Sequence, residues 1–304
     1  MTSSQIARRN RVKLSLDDKI YYGVTGIVLV LFLIIVLYPL IYIVSASFSS
    51  AAAVTSGRVF LWPVEPGIEG YKAVFKHPNI LNSYKNSFIY TVVGTCINLA
   101  MTMIAAYPLS RHDLPHKGVF MFLFTFTMMF NGGMIPDYIL LKDLKWIDTI
   151  WALVIPGAIN VTNLIITRTF LMTSIPFALW EAAQIDGCSD FGYFWRIVLP
   201  LAKPVMAVIT LYYAVGHWNS YFSAFLYLNS PEKFSLQLVL REILIANSMD
   251  TNMVVDVAMA EQQQNLADLL KYSLIIVSSV PVLVMYPFVK KFFVKGVMIG
   301  SLKG

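Results

Sequence analysis

Two polar stretches in an otherwise apolar chain contain the residue types that are able to do chemistry. The first runs from Glu181 to Gly187 and is followed, after nine residues, by Ile197–Pro200. The second is the segment 217–221, which holds a histidine, a tryptophan, an asparagine, a serine and a tyrosine. The acids and amides of the first stretch suit docking to a partner. The rings, amide and hydroxyls of the second suit binding of a sugar.

The first stretch is predicted to form two short helices around a glycine corner. Ser174 can cap the first helix, and Pro176 is tolerated in its first turn. Gly187 can end that helix, because glycine takes a left-handed backbone without a Cβ clash. We expect Asp190 to cap the second helix. Spacing at i, i+3, i+4 and i+7 predicts that its apolar face carries Phe191, Phe194, Trp195 and Val198.

Each polar stretch has two interpretations that its residues alone leave open. The helical hairpin, residues 174–200, is either a docking surface or an amphipathic connector at a membrane surface. The second stretch lies within an apolar run, where polar groups usually face the protein interior or a water-filled path. It is therefore either part of a substrate pathway or a set of interhelical hydrogen bonds. Its members are His217, Trp218, Asn219, Ser220 and Tyr221.

Motifs for self-contained catalysis or energy coupling do not occur in the sequence. There is no G-x-x-x-x-G-K-[S/T] phosphate loop, no H-E-x-x-H zinc pair and no G-x-S-x-G elbow. Cys96 and Cys188 form neither a disulfide framework nor a metal spacing. We therefore predict no catalytic residue and no metal site. If the chain transports a solute, its energy comes from another subunit.

Composition places these stretches in an integral membrane protein. Of 304 residues, 57% are hydrophobic and only 13% are charged, and the mean hydropathy is +0.66. Six charge-free runs are each about as long as the roughly 20 residues that cross a bilayer as a helix. They are Ile20–Gly57, Asn86–Ser110, Gly118–Pro136, Thr149–Thr167, Pro204–Pro231 and Tyr272–Val289.

The sequence thus predicts an all-α polytopic membrane protein with six transmembrane helices. Residues 1–19 form a basic N-terminal tail, 20–289 the transmembrane domain and 290–304 a basic C-terminal tail. Placing both tails in the cytoplasm satisfies the positive-inside rule. The hairpin at 174–200 is then inside, and the loop at 229–271 is outside. Because the net charge of +6 follows this asymmetry, it gives no reason to expect nucleic acid.

The spacing of the hairpin resembles the EAA loop of ABC importer permeases. The matching residues are Glu181, Ala182, Ala183, Asp186, Gly187, Ile197, Leu199 and Pro200, with Cys188 where the family usually has alanine. The chain is similar to the maltose-type carbohydrate branch. Its stretches 132–136, 217–220 and 293–296 resemble the subgroup for pectin- and alginate-derived oligosaccharides.

This resemblance implies a type I importer fold and an EAA loop that couples ATPase closure to alternating access. Glu181 would contact the ATPase, Ala182 and Ala183 would allow close approach, and Gly187 would form the corner. The chain would not be an enzyme and would bind no cofactor, since ATP and Mg would bind to the ATPase. An ion-coupled secondary sugar transporter is the alternative.

The resemblance also implies a set of partners in a bacterial cell membrane. They are a second homologous permease subunit, two cytoplasmic ATPase subunits, an extracellular sugar-binding protein and an oligosaccharide. The loop 229–271 would face the binding protein, and residues 292–304 would reach the ATPases.

Overall fold

The computed structural model describes residues 15–76, 78–249 and 270–287. Over these residues the regular structure is helical, with no β strand. Beyond this part of the chain lie residues 1–14 of the predicted N-terminal tail, the predicted C-terminal tail with its stretch 293–296, and residues 250–269 of the predicted outside loop. The helices are α1 (Leu16–Ser47), α2 (Ala51–Thr55), α3 (Glu69–Lys76), α4 (Ile80–Ser110), α5 (Lys117–Met129), α6 (Met134–Asp143), α7 (Ile150–Val154), α8 (Val161–Ser174), α9 (Phe177–Ile185), α10 (Asp190–Leu201), α11 (Lys203–Asn219), α12 (Phe222–Tyr227), α13 (Leu236–Met249) and α14 (Leu270–Pro287).

The chain divides into two compact units. Among the described residues, the first comprises 15–71 and 270–276. Its long helix α1 starts with a capping box, in which the Asp18 amide donates to Ser15 Oγ and the Ser15 amide donates to Asp18 Oδ2, each over 3.1 Å. A small core then forms around its C-terminal end. The buried members of that core are Ala46, Ala53, Val54 and Val59.

The second unit, which covers the described residues 72–76, 78–249 and 277–287, is organised around helix α4. This helix packs mainly against α8 and α11. Its buried face is lined by small and polar side chains at helical spacing, which lets neighbouring helices approach closely. They include Ser83, Ser87, Thr91, Gly94, Thr95, Asn98, Thr102 and Ala106. One cluster of buried apolar side chains joins α4, α8, α9, α10 and α11, and so ties the helical hairpin to the spanning helices.

Two of the six predicted spans are interrupted. The predicted fourth span, 149–167, was expected to be continuous, and this is wrong. It consists of α7 and the start of α8, separated by a break that contains Pro156 and Gly157. The predicted fifth span, 204–228, ends as a helix at Asn219 and resumes in α12.

The chain also bends sharply at two places. Helices α5 and α6 meet at 110° across the Asn131–Gly133 break, where Gly133 has a φ of +92°. Helices α10 and α11 meet at 77°. Three helices in the described ranges are long and apolar enough to cross a membrane, or five if each bent pair is one span. The predicted count of six is not confirmed.

Candidate functional site: the helical hairpin and a polar cavity

The first helix of the hairpin, α9, begins later than predicted. Ser174 was expected to cap it, but Ser174 is the last residue of α8 and Pro176 occupies the N-cap position. The backbone of Pro176 is extended, with a ψ of 140°, so α8 ends before it and α9 begins after it. The hydroxyl of Ser174 is buried without a hydrogen-bond partner among the residues that the structure describes.

The glycine corner forms as predicted. Gly187 has a φ of +73° and follows the C-cap residue Asp186. The Gly187 amide donates to the Gln184 carbonyl over 3.0 Å, and the Cys188 amide donates to the Ala183 carbonyl over 2.9 Å. These two bonds make a Schellman motif, which satisfies the last carbonyls of the helix. The prediction that Gly187 ends the first helix is therefore confirmed.

The second helix, α10, differs from the prediction in its cap. Ser189, not Asp190, is the N-cap residue, and its Oγ accepts from the Gly192 amide over 3.2 Å. Asp190 is the first helical residue. Ser189 is the N-cap because its short hydroxyl side chain faces the unpaired amides of the first turn.

The apolar face of α10 was also assigned wrongly. Phe194 and Val198 are buried, but Phe191 and Trp195 are 72% and 54% exposed. Residues 194–198 form a π-helical segment, whose wider turn breaks the i, i+3, i+4, i+7 register. Tyr193 takes an inward position instead and is 3% exposed.

The predicted coupling residues divide between the two sides of the hairpin. Ala183 is buried in the core that α9 shares with α4. Ile197 and Leu199 are half-buried. The exposed members are Glu181, Ala182, Asp186, Gly187 and Pro200. Beside them, the exposed surface carries the large apolar side chains of Phe177, Leu179, Ile185, Phe191 and Trp195.

Arg111, the residue directly after α4, forms an ion cluster at the base of the hairpin. Its guanidinium lies 3.8 Å from the centre of the Trp180 ring. Its Nη1 is 3.0 Å from Asp190 Oδ1, and its Nε is 2.8 Å from Asp113 Oδ1. Nη1 also donates to the Tyr107 hydroxyl over 3.0 Å. We call these five residues the Arg111 cluster. Sequence reasoning counted Arg111 only as a loop charge.

The charges within the Arg111 cluster stabilise one another. The hydrogen bonds that Arg111 donates to the Asp113 carboxylate outweigh burial and raise the pKa of the Arg111 guanidinium above its already high value. The hydrogen bonds from Arg111 lower the pKa of the Asp113 carboxyl. Both groups are therefore ionised at neutral pH, and the Arg111 side chain, 15% exposed, is neutralised by neighbouring carboxylates.

A polar cavity of about 480 Å³ lies along α4 in the second unit. Its walls combine amides, hydroxyls and aromatic rings, the groups that bind sugar hydroxyls and faces. The polar side chains that line it are Asn98, Asn160, Thr162, Asn163, Tyr212, Tyr213, His217 and Ser220. His217 Nε2 lies 2.6 Å from Asn98 Oδ1, and Tyr213 hydroxyl lies 2.7 Å from Thr102 Oγ1.

Gly94 permits the close approach of His217 to α4. A Cβ atom at this position would lie 2.5 Å from His217 Nε2, which is closer than a real Cβ comes to another atom. The glycine therefore allows the imidazole to sit over the helix and reach Asn98.

The residues of the 217–221 stretch do not share one location. His217 and Ser220 line the cavity. Trp218 is 3% exposed, and its Nε1 donates to the Ser278 carbonyl over 2.9 Å, so it packs between helices. Asn219 and Tyr221 are exposed and are not among the lining residues, and the guanidinium of Arg241 lies 5.6 Å from the Tyr221 ring centre.

Sequence reasoning missed most of the cavity. Asn98, Asn160 and Asn163 come from α4, from the loop before α8 and from α8. In the sequence, each of these three asparagines can be seen only as an amide side chain within a charge-free run. Their convergence is visible only in the fold.

A second ion cluster lies near the N-terminal end of α4. Asp148 Oδ1 accepts from the amides of Asn229 and Ser230 over 3.0 and 3.1 Å, and Lys233 Nζ lies 2.7 Å from its Oδ2. The Tyr90 hydroxyl of α4 donates to the Lys233 carbonyl over 2.7 Å. We call this the Asp148 cluster. Burial opposes ionisation of Asp148, but the bonds from Lys233, Ser230 and Asn229 prevail and lower its pKa.

Comparisons with known proteins identify relatives over nearly the whole chain. No family model matches. The chain is 40% identical over 294 residues to the polygalacturonan/rhamnogalacturonan transport system permease protein YtcP of Bacillus subtilis (strain 168), covering 96% of this chain and 100% of that one. It is 42% identical over 274 residues to protein LplC of the same strain, covering 89% and 90%.

A solved structure is similar over the same length. The crystal structure of a bacterial ABC transporter involved in the import of the acidic polysaccharide alginate contains a chain with a TM-score of 0.83 and 36% identity. The match covers 93% of this chain and 99% of that chain. A second alginate transporter structure, in complex with an alginate pentasaccharide-bound periplasmic protein, shares the fold with a TM-score of 0.57 at 15% identity.

Proposed function

This chain belongs to the ABC sugar-importer permeases, and we propose that its substrate is an oligosaccharide derived from an acidic polysaccharide. YtcP is named for polygalacturonan and rhamnogalacturonan, and the similar crystal structure comes from an alginate importer. These polymers share uronic acid units. No finding supports the ion-coupled alternative, and a permease of this family is not itself an enzyme.

The observation that carries the coupling part of the proposal is the exposed surface of the helical hairpin. The inner side of α9 is fixed in the core by Trp180 and Ala183, while Glu181 and Ile185 are exposed at the Schellman corner. Ile185 is 87% exposed, and large apolar side chains exposed together mark an interaction site. We propose that this surface docks into a cleft in an ATPase subunit, with Glu181 as the polar contact. ATP and Mg then bind to that subunit.

The polar cavity is the proposed substrate pathway. Asn98, Asn163 and Ser220 offer hydrogen bonds to sugar hydroxyls and carboxylates, and Tyr212 offers a ring for stacking. His217 is placed in the pathway with them. Trp218, Asn219 and Tyr221, the other members of the predicted stretch, are proposed to support its walls or its entrance.

The proposed assembly contains several further subunits. A second homologous permease subunit, two ATPase subunits and an extracellular sugar-binding protein surround this chain in a bacterial cell membrane. Both termini lie in the cytoplasm. The loop 229–271 faces the binding protein, and residues 292–304 extend to the ATPases.

Reconstitution of the copurified complex in sealed vesicles tests the substrate and the energy source. We expect uptake and ATP hydrolysis to be stimulated by uronic acid oligosaccharides more than by neutral oligosaccharides of equal length. Uptake should stop on ATP depletion and persist with an ionophore. Stimulation by neutral oligosaccharides alone would contradict the substrate class, and uptake that follows an ion gradient would contradict the importer.

A further inference from the structure

We propose that Arg111 is a positioning residue that joins the two helices of the hairpin to α4, so that movement of the hairpin is transmitted to the cavity. This inference rests on the proposed coupling function. Helix α4 carries the cavity residue Asn98 and ends directly before Arg111. At 1.5 Å per residue the two positions are about 20 Å apart along the same helix.

Arg111 is the residue of this region whose side chain contacts both helices of the hairpin. The guanidinium stacks over Trp180 of α9 and pairs with Asp190 of α10. The other nearby cations, Arg168 and Lys117, donate to backbone carbonyls at the end of α4, those of Leu109 and Arg111. They stabilise the helix terminus, whereas the Arg111 side chain contacts both helices of the hairpin.

The geometry requires a guanidinium. One flat face covers the Trp180 ring while the edges reach Asp190 and Asp113, with the Asp113 carboxylate held by two nitrogens. An ammonium provides a point charge with no plane to stack and no fork for a carboxylate. Lysine at this position therefore preserves the charge and loses the bridge.

Asp113 and Asp190 have different roles in the cluster. Asp113 is two residues from Arg111 in the same loop and orients its plane. Asp190 is 79 residues away and 72% exposed, so its ion pair with Arg111 is strongly solvated and contributes little to stability. Loss of the Asp190 carboxylate removes the ion pair between α10 and Arg111, while the packing of Tyr107 against Tyr193 and Phe194 keeps α10 in contact with α4.

The test compares variants in the complete complex, reconstituted in vesicles with its ATPases and binding protein. The measured quantity is the number of sugars transported per ATP hydrolysed. We expect Arg111→Gln to lower this ratio about tenfold, a typical coupling between sites. Asp190→Asn should lower it in the same direction, and adding Asp190→Asn to Arg111→Gln should change little. Arg111→Lys should resemble Arg111→Gln.

Two controls separate positioning from charge and from folding. Lys117→Gln removes a positive charge at the start of α5, next to the loop that holds Arg111, and should keep the parental ratio. Asp190→Asn should keep the parental melting temperature, so it decides the question if Arg111→Gln does not assemble. A parental ratio in Asp190→Asn, and in any assembled Arg111→Gln complex, overturns the role of Arg111.

The same series distinguishes this inference from the proposed function. Gly187→Pro, which destroys the corner of the hairpin, should uncouple the complex whatever Arg111 does. If Gly187→Pro uncouples and the Arg111 and Asp190 variants do not, only the bridging role is wrong. If the parental complex shows no ATP-driven uptake, the proposed function fails, and the Arg111 inference fails with it.

Discussion

The two ends of helix α4 are held by ion clusters of opposite design. At its C-terminal end, the guanidinium of Arg111 contacts carboxylates and an aromatic ring from separate elements. Near its N-terminal end, the carboxylate of Asp148 binds backbone amides and an ammonium from the short segment 229–233. The Arg111 cluster therefore connects α4 to both helices of the hairpin, whereas the Asp148 cluster connects the loop before α7 to a single turn.

This difference indicates what each cluster contributes. The bonds to Asp148 shape the 3₁₀ turn Pro231–Lys233, whose backbone carbonyls accept from Asn86 and Tyr90 of α4. A cluster that holds the backbone of one turn chiefly stabilises the fold. A cluster whose partners lie on two helices of an exposed hairpin orients the surface that we propose docks to the ATPase. Substitutions at one end should therefore change stability, and those at the other should change coupling.

The largest effect on stability is expected from Asp148→Asn. The substitution removes the charge that holds Lys233 and two backbone amides, and should lower the free energy of unfolding by about 3 kcal/mol. Thermal denaturation of the detergent-solubilised complex measures it. Asp143→Asn, on the exposed side of α6, is the matched control and should have no effect. An unchanged melting temperature in Asp148→Asn, or a loss of coupling without loss of stability, would contradict a stabilising role for the Asp148 cluster.

Between the two clusters, Gly94→Ala should disturb the cavity. The new Cβ would meet His217, so the imidazole must move away from Asn98, at an expected cost of about 2 kcal/mol. Sugar-stimulated ATP hydrolysis should fall, with basal hydrolysis retained. Gly118→Ala has open space around its Cβ and serves as the control. Parental stimulation in Gly94→Ala would argue that the His217–Asn98 contact lies outside the pathway.

At the hairpin corner, Gly187→Ala should have a smaller effect. Alanine at a φ of +73° costs about 1 kcal/mol relative to glycine, and no atom lies within 4 Å to oppose the side chain. We expect a melting temperature close to the parental one and a partial loss of sugars transported per ATP. A stability loss as large as that of Asp148→Asn would place the hairpin among the elements that hold the fold.

The pH dependence of stability should be the smallest difference. The folded-state pKa of Asp148 lies below its unfolded value of about 3.9, so its contribution is complete above that value and is lost as pH falls toward the folded pKa. Near pH 4 the parental complex should lose a few tenths of a kcal/mol from this carboxylate. Asp148→Asn should lack this component, and an identical acid dependence in both proteins would exclude it.

The parts of the molecule that sequence could predict are those encoded locally. Gly187 is such a case, because a glycine after a helical run gives a Schellman corner whatever surrounds it. The family resemblance likewise rests on spacing within twenty residues. The apolar face of α10 was mispredicted because a π-helical segment changed the register of Phe191 and Trp195. No local sequence pattern indicates such a segment.

Long-range assembly accounts for the other failures. The sequence gives no sign that the fold brings Arg111, Trp180 and Asp190 together. The cavity residues Asn98 and Asn163 come from different helices in the same way. The broken fourth span is different, because Pro156 and Gly157 are visible in the sequence, but the absence of charge between residues 149 and 167 favoured a continuous helix.

The number of sugars transported per ATP hydrolysed in the Gly187→Pro complex tests the central claim most directly. Proline fixes φ near −65°, which is incompatible with the +73° at this corner, and it removes the amide that bonds to Gln184. We predict an assembled complex that hydrolyses ATP with almost no uptake. Parental uptake per ATP in an assembled Gly187→Pro complex would contradict the claim that the helical hairpin couples ATP hydrolysis to transport.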